Sequence, residues 1–440
     1  MPSDTVDSED LPMHFFRSPR RRFVVRLAFA ALAVFVLPES AFAAKTPDVL
    51  APASIRGALQ AAWQRHPSYR ATEAQLAAAR ARLDAAGQPL YNPEAELASD
   101  DEGPDRTTTA GLSLTLDLSG KRRVRRDAAS ARVDQATAEA RLHRRDFAKQ
   151  WFTGWAELQT ANARVRTGER RLTLMTRFVD LAQKQFSADD ISGLERDLAL
   201  LARDEAQAEQ SQLMAEQAEA QARFRAVGGS PELLANLTLP TGTLPPPTAA
   251  DSSIEQLPDW LVAQAAAVAA EREVTVARRN RIADPTLGAY GGRKRFDMGG
   301  PSDNVVGVSI RVPLFVRNSY RAEVVAAQAD ADVAVADRDR VRIELEGDRQ
   351  RAIDTYAATQ SSWTRWQASR GTDVERRTTL LERLWREGEL STSDYLQQLK
   401  QTLDTQLAGA ELEARLWRSY ADYLAATGQL ERWAGLEGTP

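Results

Sequence analysis

Between Ala110 and Val133 the spacing of apolar residues changes period. Leu112, Leu114, Leu116 and Leu118 alternate with Ser113, Thr115 and Asp117, and a period of two predicts a strand with one apolar and one polar face. From Ser119-Gly120 onward, Arg125, Ala128, Ala129 and Val133 fall at helical spacing. A strand is therefore predicted to pass into a helix through a basic junction of Gly120, Lys121, Arg122, Arg123, Arg125 and Arg126. The design returns in Val306 to Ala329, where Gly307, Ser309, Leu314, Arg317 and Arg321 answer Gly111, Ser113, Leu118, Lys121 and Arg125. Asn92-Pro93 is echoed by Asp284-Pro285, and Ile191 to Glu195 by Leu390 to Asp394. Echoes in the same order indicate an internal duplication.

Taken in order, the pattern predicts a helix over Ile55 to Gln88 with a kink or early break at His66-Pro67, then strands near 93–101 and 107–118. Each strand has about the 9–11 residues that a tilted membrane strand needs. A helix from Gly120 to about Phe186 follows, carrying Trp151, Leu158, Val165, Leu172, Val179 and Phe186 at heptad spacing. At 1.5 Å per residue it spans roughly 100 Å, far more than a compact domain needs. A turn at Ser187 to Asp190 leads into a returning helix over Ile191 to Val227. After a Pro-rich linker at 230–256, which includes Leu244-Pro245-Pro246-Pro247, the plan repeats. The second copy has a helix from Pro258 to Ile282 and strands near 285–296 and 304–315. A long helix then runs from Arg317 to Arg386, and a return from Leu390 to Leu430. Laid end to end, the two short helices of each copy match its long one, which predicts paired parallel rods. The organisation expected is residues 1–43 as a signal, 44–229 and 257–432 as the two copies, and 433–440 as a tail.

Composition narrows the function. The 440 residues hold no cysteine, so disulfides, thiol nucleophiles and thiolate metal sites are excluded. A net charge of −4, with arginines spread among acids along helices, gives no basis for nucleic-acid binding. Near the amino terminus a basic segment around Arg17 to Arg22, an apolar run from Val24 to Leu37 and Ala41-Phe42-Ala43 read as a cleavable export signal, with Met13 an alternative start. With no cysteine after it, lipidation is not expected. No other apolar run approaches the ~20 residues of a spanning helix. Four amphipathic strands leave unpaired edges, and in a membrane a sheet must close. The smallest barrels have about 8 strands, so the chain is expected to oligomerise in a ring.

The duplicated plan, the opening Ala58-Leu59…Ala62…His66-Pro67 and the helix-turn motifs resemble the TolC family of outer-membrane efflux channels over nearly all of the mature chain. More narrowly, Leu118 to Arg122 with Arg125, and Val312 to Asn318, are similar to the CzcC-type branch serving tripartite heavy-metal cation efflux. The resemblance implies a mainly α protein with a membrane β-barrel: a homotrimer whose 12 strands form one barrel continuous with a periplasmic α-helical tunnel. It implies a periplasmic adaptor, an inner-membrane RND pump and outer-membrane lipid as partners, with no cofactor and no catalysis. The implied periplasmic entrance and adaptor-docking positions are Asp189, Asp190, Ser192, Glu195, Gly388, Ser391 and Asp394. The barrel-to-helix junction comprises Gly120, Lys121, Arg122, Pro313, Arg317 and Asn318. Asp189 departs from the glycine that the family commonly has there and that Gly388 supplies, a departure that bears on the geometry of one docking groove.

The remaining candidates for chemistry are weak. His66 before proline reads as a turn or capping residue, and His143 among Arg141, Arg144 and Arg145 as exposed. Asp189-Asp190 as a hydrolase dyad is outweighed by its place at a turn. Trp151, Trp155, Trp363 and Trp366 read as coiled-coil packing, and Tyr91 and Tyr290 as members of an interfacial belt. The basic clusters after the strands read as interfacial anchors. The leading expectation is a passive exit duct for divalent metal cations. A drug-efflux or type I secretion channel, and a periplasmic coiled-coil scaffold or adaptor, are the alternatives.

Overall fold

A computed structural model describes residues 50–103, 105–232, 244–247, 253–296, 300–368 and 374–438. The predicted export signal, most of the linker and residues 297–299 of the second strand loop lie outside the described residues. The elements are α1 (Ala53–Arg65), α2 (Pro67–Ala86), β1 (Glu94–Glu102), β2 (Asp105–Thr115), α3 (Lys121–Ser187), α4 (Gly193–Ala226) and α5 (Pro258–Asn280). They continue with β3 (Thr286–Phe296), β4 (Asp303–Arg311), α6 (Arg321–Ala368), α7 (Val374–Arg386), α8 (Thr392–Ala426) and α9 (Leu430–Ala434).

The helix expected over 55–88 breaks at His66-Pro67 into two. His66 is extended (ψ 139°), its Nδ1 accepts from Ser68 N at 3.2 Å, and Pro67 opens α2, where its missing N–H costs no helical bond. α3 runs for 67 residues, and its heptad residues Trp151, Leu158, Val165 and Val179 are buried. The rods bury side chains in two places. Around the middle of α3, Trp63, Trp151, Phe152, Trp155, Phe224, Tyr356, Trp417, Tyr420 and Trp433 form one core. Near its far end, Met175, Phe178, Val179, Leu381, Trp385, Tyr395, Leu399 and Leu403 form the other, with the Phe178 ring 4.6 Å from Trp385 and 4.7 Å from Tyr395. Each fully buried large side chain contributes about 1.5–3 kcal/mol.

Several expected boundaries move. α6 starts at Arg321 rather than Arg317. The returning helix stops at Ala426, and α9 then folds Trp433, Ala434 and Leu436 into the first core, so residues read as a tail are structural. The Pro-rich segment is not a plain spacer either. Pro245 O accepts from Tyr356 Oη at 2.5 Å, and Leu244 O from Gln360 Nε2 at 2.6 Å.

The four strands make one antiparallel sheet in the order β1-β2-β3-β4. Register places Leu112 opposite Ala95 and Ala289, Leu287 opposite Ile310, and Ala289 opposite Val308. One face therefore carries Leu97, Ala110, Leu112, Leu114, Leu287, Val306, Val308 and Ile310. The other carries Glu94, Glu96, Asp100, Glu102, Asp105, Thr107, Thr109, Ser113, Lys294, Asp303 and Arg311. Along β2 the apolar face is exposed and the polar face half-buried, so the sheet curls with its polar face concave. β2 and β4 are both shorter than expected. Pro285 has no N–H to extend β3 past Thr286, which stands opposite both Thr115 and Arg311. One bond carries on from β2, Leu116 N to Pro285 O at 2.9 Å, before the chain turns toward α3. Tyr290 is not on the apolar face but on the concave one, above Gly307, where a Cβ would stand 2.4 Å from its ring.

Candidate functional site: the strand-to-helix junction and the helical tip

α3 begins where β2 hands over, and Asp117 makes the handover. Its carboxylate accepts from the backbone N–H groups of Lys121 and Arg122, each at 2.8 Å, covering two donors that a helix start leaves open. Burial alone would raise the Asp117 pKa. The N–H groups of Arg122, Lys121 and Gly120 and the Lys121 charge outweigh that and hold it below the usual range. Gly120 takes φ 72° at the cap.

Lys121 corrects the sequence expectation. Instead of solvating an interface, its Nζ donates to Asp284 Oδ2 at 2.8 Å, with side-chain exposures of 10% and 3%. Asp284 also accepts from Tyr91 Oη at 2.8 Å. Tyr91 is thus a buried-network donor rather than a belt residue. Burial first, then the bond to Asp284, pushes its hydroxyl up to about 12. Residues 91, 121 and 284 tie the approach to β1, the start of α3 and the approach to β3 into one polar knot. Arg122 adds Nε to Gly87 O at 2.6 Å. At the other junction Asn318 is the working residue: its Oδ1 accepts from Tyr320 N at 2.9 Å and its Nδ2 donates to Glu323 at 3.3 Å. Pro313 and Arg317 are exposed.

At the far end, two turns have the same geometry. Asp190 N donates to Gln185 O at 2.9 Å, and Glu389 N to Leu384 O at 2.9 Å, the long bond of a Schellman motif. The residue before each is left-handed: Asp189 at φ 60° and Gly388 at φ 75°. The Asp-for-Gly departure therefore leaves the turn intact. Ser192 and Glu195 then form a capping box, with Glu195 N to Ser192 Oγ at 3.3 Å and Ser192 N to Glu195 Oε2 at 2.8 Å. Ser391 and Asp394 repeat the first half, with Asp394 N to Ser391 Oγ at 3.1 Å.

The tips also touch. Thr392 Oγ1 donates to Glu195 Oε1 at 3.2 Å and accepts from Trp385 Nε1 at 3.2 Å. The backbone N–H of Ser192, then its hydroxyl, hold the Glu195 carboxyl below the usual carboxylate range. Thr392 lies within the Leu390 to Asp394 echo but carries no charge, and Trp385 lies outside it, so sequence reasoning gave neither a role. Above the tips the buried Arg171 joins α3 to α4 and α8 through Glu209 and through Asp404, the latter at 3.5 Å. Lys400 pairs with Glu205 nearby.

Other sequence candidates do not converge. Asp189 and Asp190 are exposed at the turn, His143 is exposed, and Trp151 and Trp155 are core residues. Among the described residues no group of three His, Asp or Glu stands close enough to hold a metal ion, and no helix is long and apolar enough to cross a membrane.

No family model matches the chain. It is similar to CzcC, the cobalt-zinc-cadmium resistance protein of Cupriavidus metallidurans, with 27% identity over 248 residues covering 55% of this chain and 58% of that protein. It is similar also to NccC, the nickel-cobalt-cadmium resistance protein of Alcaligenes xylosoxydans xylosoxydans, with 26% identity over 271 residues covering 60% and 61%. The match thus spans less than two thirds of either relative. The crystal structure of the CmeC outer membrane channel of Campylobacter jejuni superposes with a TM-score of 0.72 and 16% identity over 86% of each chain. The fold is that of the TolC-type outer-membrane channels. In sequence the chain resembles the heavy-metal resistance proteins CzcC and NccC.

Proposed function

We propose that the protein is the outer-membrane exit duct of a tripartite efflux assembly, with divalent heavy-metal cations as its cargo. The observation that carries this reading is a sheet that is apolar on its convex face, polar on its concave face and unpaired at both β1 and β4. In hydrocarbon every backbone group must find a partner within protein, so β4 of one protomer pairs with β1 of the next until the ring closes. Three chains give about 12 strands, within the range of conducting barrels. α2, α3, α5 and α6 form a layer that ends at α2 and α6, and α6 exposes Val325, Val333 and Ile343, a face that a neighbouring protomer would cover. The two sequence copies correspond in this reading to residues 44–229 and 257–432, joined by 230–256, and the protein is exported by residues 1–43.

The cargo is proposed from the names of CzcC and NccC together with the chemistry of the concave face. Among the described residues Glu94, Glu96, Asp100, Glu102, Asp105 and Asp303 there have Lys294 and Arg311 as counter-charges on that face. Such a lining favours cations without chelating them, which suits passage more than retention. An adaptor and an inner-membrane pump supply the energy and select the ion, and the tips carrying Asp189, Ser192, Glu195, Gly388, Ser391 and Asp394 are the docking surface for the adaptor.

The test is single-channel recording of the mature protein in a planar bilayer, with its mass in detergent measured alongside. Cation-selective openings from a trimer support the duct; a soluble, non-conducting monomer or dimer replaces it with the scaffold reading. For the cargo, deleting the gene is expected to lower tolerance to divalent metals. Unchanged metal tolerance with raised drug sensitivity would reassign the channel to drug efflux.

A further inference from the structure

The convex face of the sheet does not stay apolar to its outer end. Register sets Arg295 directly opposite Arg106, and Arg293 opposite both Thr108 and Asn304. Residues two apart share a face, so all three arginines lie on the side of Leu112, Ala289 and Val308. All three are exposed. Arg106 has one acid, Asp101, at 3.1 Å, both side chains being 65% exposed. Among the described residues no ion pair is made by Arg293 or Arg295. Like charges directly across antiparallel strands repel; Asp101 offsets this from the Arg106 side alone, so Arg293 and Arg295 keep a charge that an anion lying over them would relieve.

The neighbouring lysine is placed differently. Lys294 points to the concave face, where it meets Asp105 at 3.2 Å and Glu102 at 3.5 Å. The arginines thus stand apart from the acids that neutralise the lysine. From Ala110, the last apolar position on β2, to Arg106 is roughly 10 Å of height at a strand tilt near 40°. In a membrane-spanning barrel that is the headgroup layer, immediately above the hydrocarbon. All three positions hold arginine, whose planar fork binds phosphate through two parallel hydrogen bonds where lysine offers a point charge.

Resting on the membrane reading above, we infer that Arg106, Arg293 and Arg295 form a binding site for the phosphate groups of lipid headgroups at the outer surface of the membrane. A lipid satisfies both halves of this face at once. Its phosphate neutralises the arginines, and its chains cover Leu97, Leu112, Val306 and Val308 below them. A free anion or an acidic peptide would leave that apolar band open to water.

The experiment reconstitutes the full mature protein into phosphatidylcholine nanodiscs with and without bisphosphorylated lipid A, and native mass spectrometry counts the glycolipid retained. The R106Q/R293Q/R295Q variant is expected to insert as the wild type does but to bind the glycolipid roughly a hundredfold more weakly, the scale of three basic residues at an anionic surface. K294Q, on the opposite face, is expected to retain it fully. R106K/R293K/R295K, which keeps the charge and loses the fork, is expected to fall between. Full retention by the glutamine triple variant, or equal loss in K294Q, overturns the site. Stripping of the glycolipid by excess inorganic phosphate overturns the lipid assignment in favour of a free-anion site. Failure of the wild type to enter zwitterionic nanodiscs overturns the membrane reading, and this inference with it.

Discussion

Thr392 Oγ1 donates to Glu195 Oε1 at 3.2 Å, so the cap of α4 is fastened to the first turn of α8. One carboxylate thereby serves two tips. Its Oε2 closes the capping box on Ser192 while its Oε1 holds the neighbouring helix start. This sharing gives Glu195 a structural task that Asp394, bonded among the described residues to its own Ser391 alone, lacks.

The fastening has a pH dependence whose sign follows from the Glu195 shift. Its folded pKa is depressed, so the stabilisation is present above the unfolded value, about 4.3, and fades as pH falls through the lower folded value. The carboxylate is largely exposed, so the effect on global stability is small. It should appear instead in local protection. Amide exchange at Ser192 and Glu195, corrected for intrinsic rates, is expected to rise at acid pH, and Ser192→Ala should raise it at neutral pH by loosening a cap worth about 1 kcal/mol. Protection unchanged in both conditions would mean that the box is not formed in solution.

The two turns make a matched pair for a conformational experiment. Asp189 is left-handed with a side chain, Gly388 without one. A Cβ at Gly388 would meet nothing within 4 Å, so its cost is purely one of backbone conformation. Asp189→Gly is expected to relieve strain of somewhat under 1 kcal/mol, and Gly388→Ala to destabilise by about 1 kcal/mol. Thermal unfolding in detergent should move in opposite directions for the two variants; a shift in the same direction would show that these turns do not keep matched left-handed residues.

The knot between Lys121 and Asp284 behaves as a buried ion pair, costly to break from one side. Lys121→Met leaves Asp284 buried with Tyr91 and Ser119 as its remaining donors among the described residues, and is expected to cost about 3 kcal/mol. Lys121→Met combined with Asp284→Leu removes both charges and is expected to recover most of that loss. Denaturant unfolding of the single and double variants measures the difference, and strictly additive losses would contradict the pairing.

What could be read in advance follows from how local the cause is. The alternation of Leu112 and Leu114, and the heptads from Trp151 to Val179, are local patterns, and their faces came out as written. The strand ends were not legible, because Leu116 and Leu118 continue the alternation past Thr115. What ends β2 is Pro285, just before β3, and Asp117 turning to cap α3. Lys121 sits in a basic run that reads as solvated. Its burial depends on Asp284, far along the chain, which no period reveals. Tyr290 likewise looks like a belt residue until register sets it over Gly307. The tip motifs were visible as an echo, yet the bond from Thr392 to Glu195 needs the two copies side by side.

Where cation preference resides follows from the same contrast. Glu195 and Asp394 are among the entrance positions that the family resemblance implies, and in a ring of protomers each would recur as a negative charge. Both are committed to helix caps, and Glu195 to Thr392 as well. On β1, by contrast, Glu94, Glu96, Asp100 and Glu102 follow one another on the concave face, and their β2 neighbours are Ser113, Gly111, Thr107 and Asp105. Of these four acids only Glu102 has a cationic partner, Lys294 at 3.5 Å, among the described residues. If the barrel closes as proposed, each of these residues recurs in every protomer within a narrow bore, where low-dielectric walls concentrate their field. Reversal potentials in asymmetric salt are therefore expected to shift toward neutrality more for Glu94→Gln/Glu96→Gln/Asp100→Asn than for Glu195→Gln/Asp394→Asn. The opposite ranking would place the selectivity at the periplasmic tips and assign the strand acids to solvation of the lumen alone.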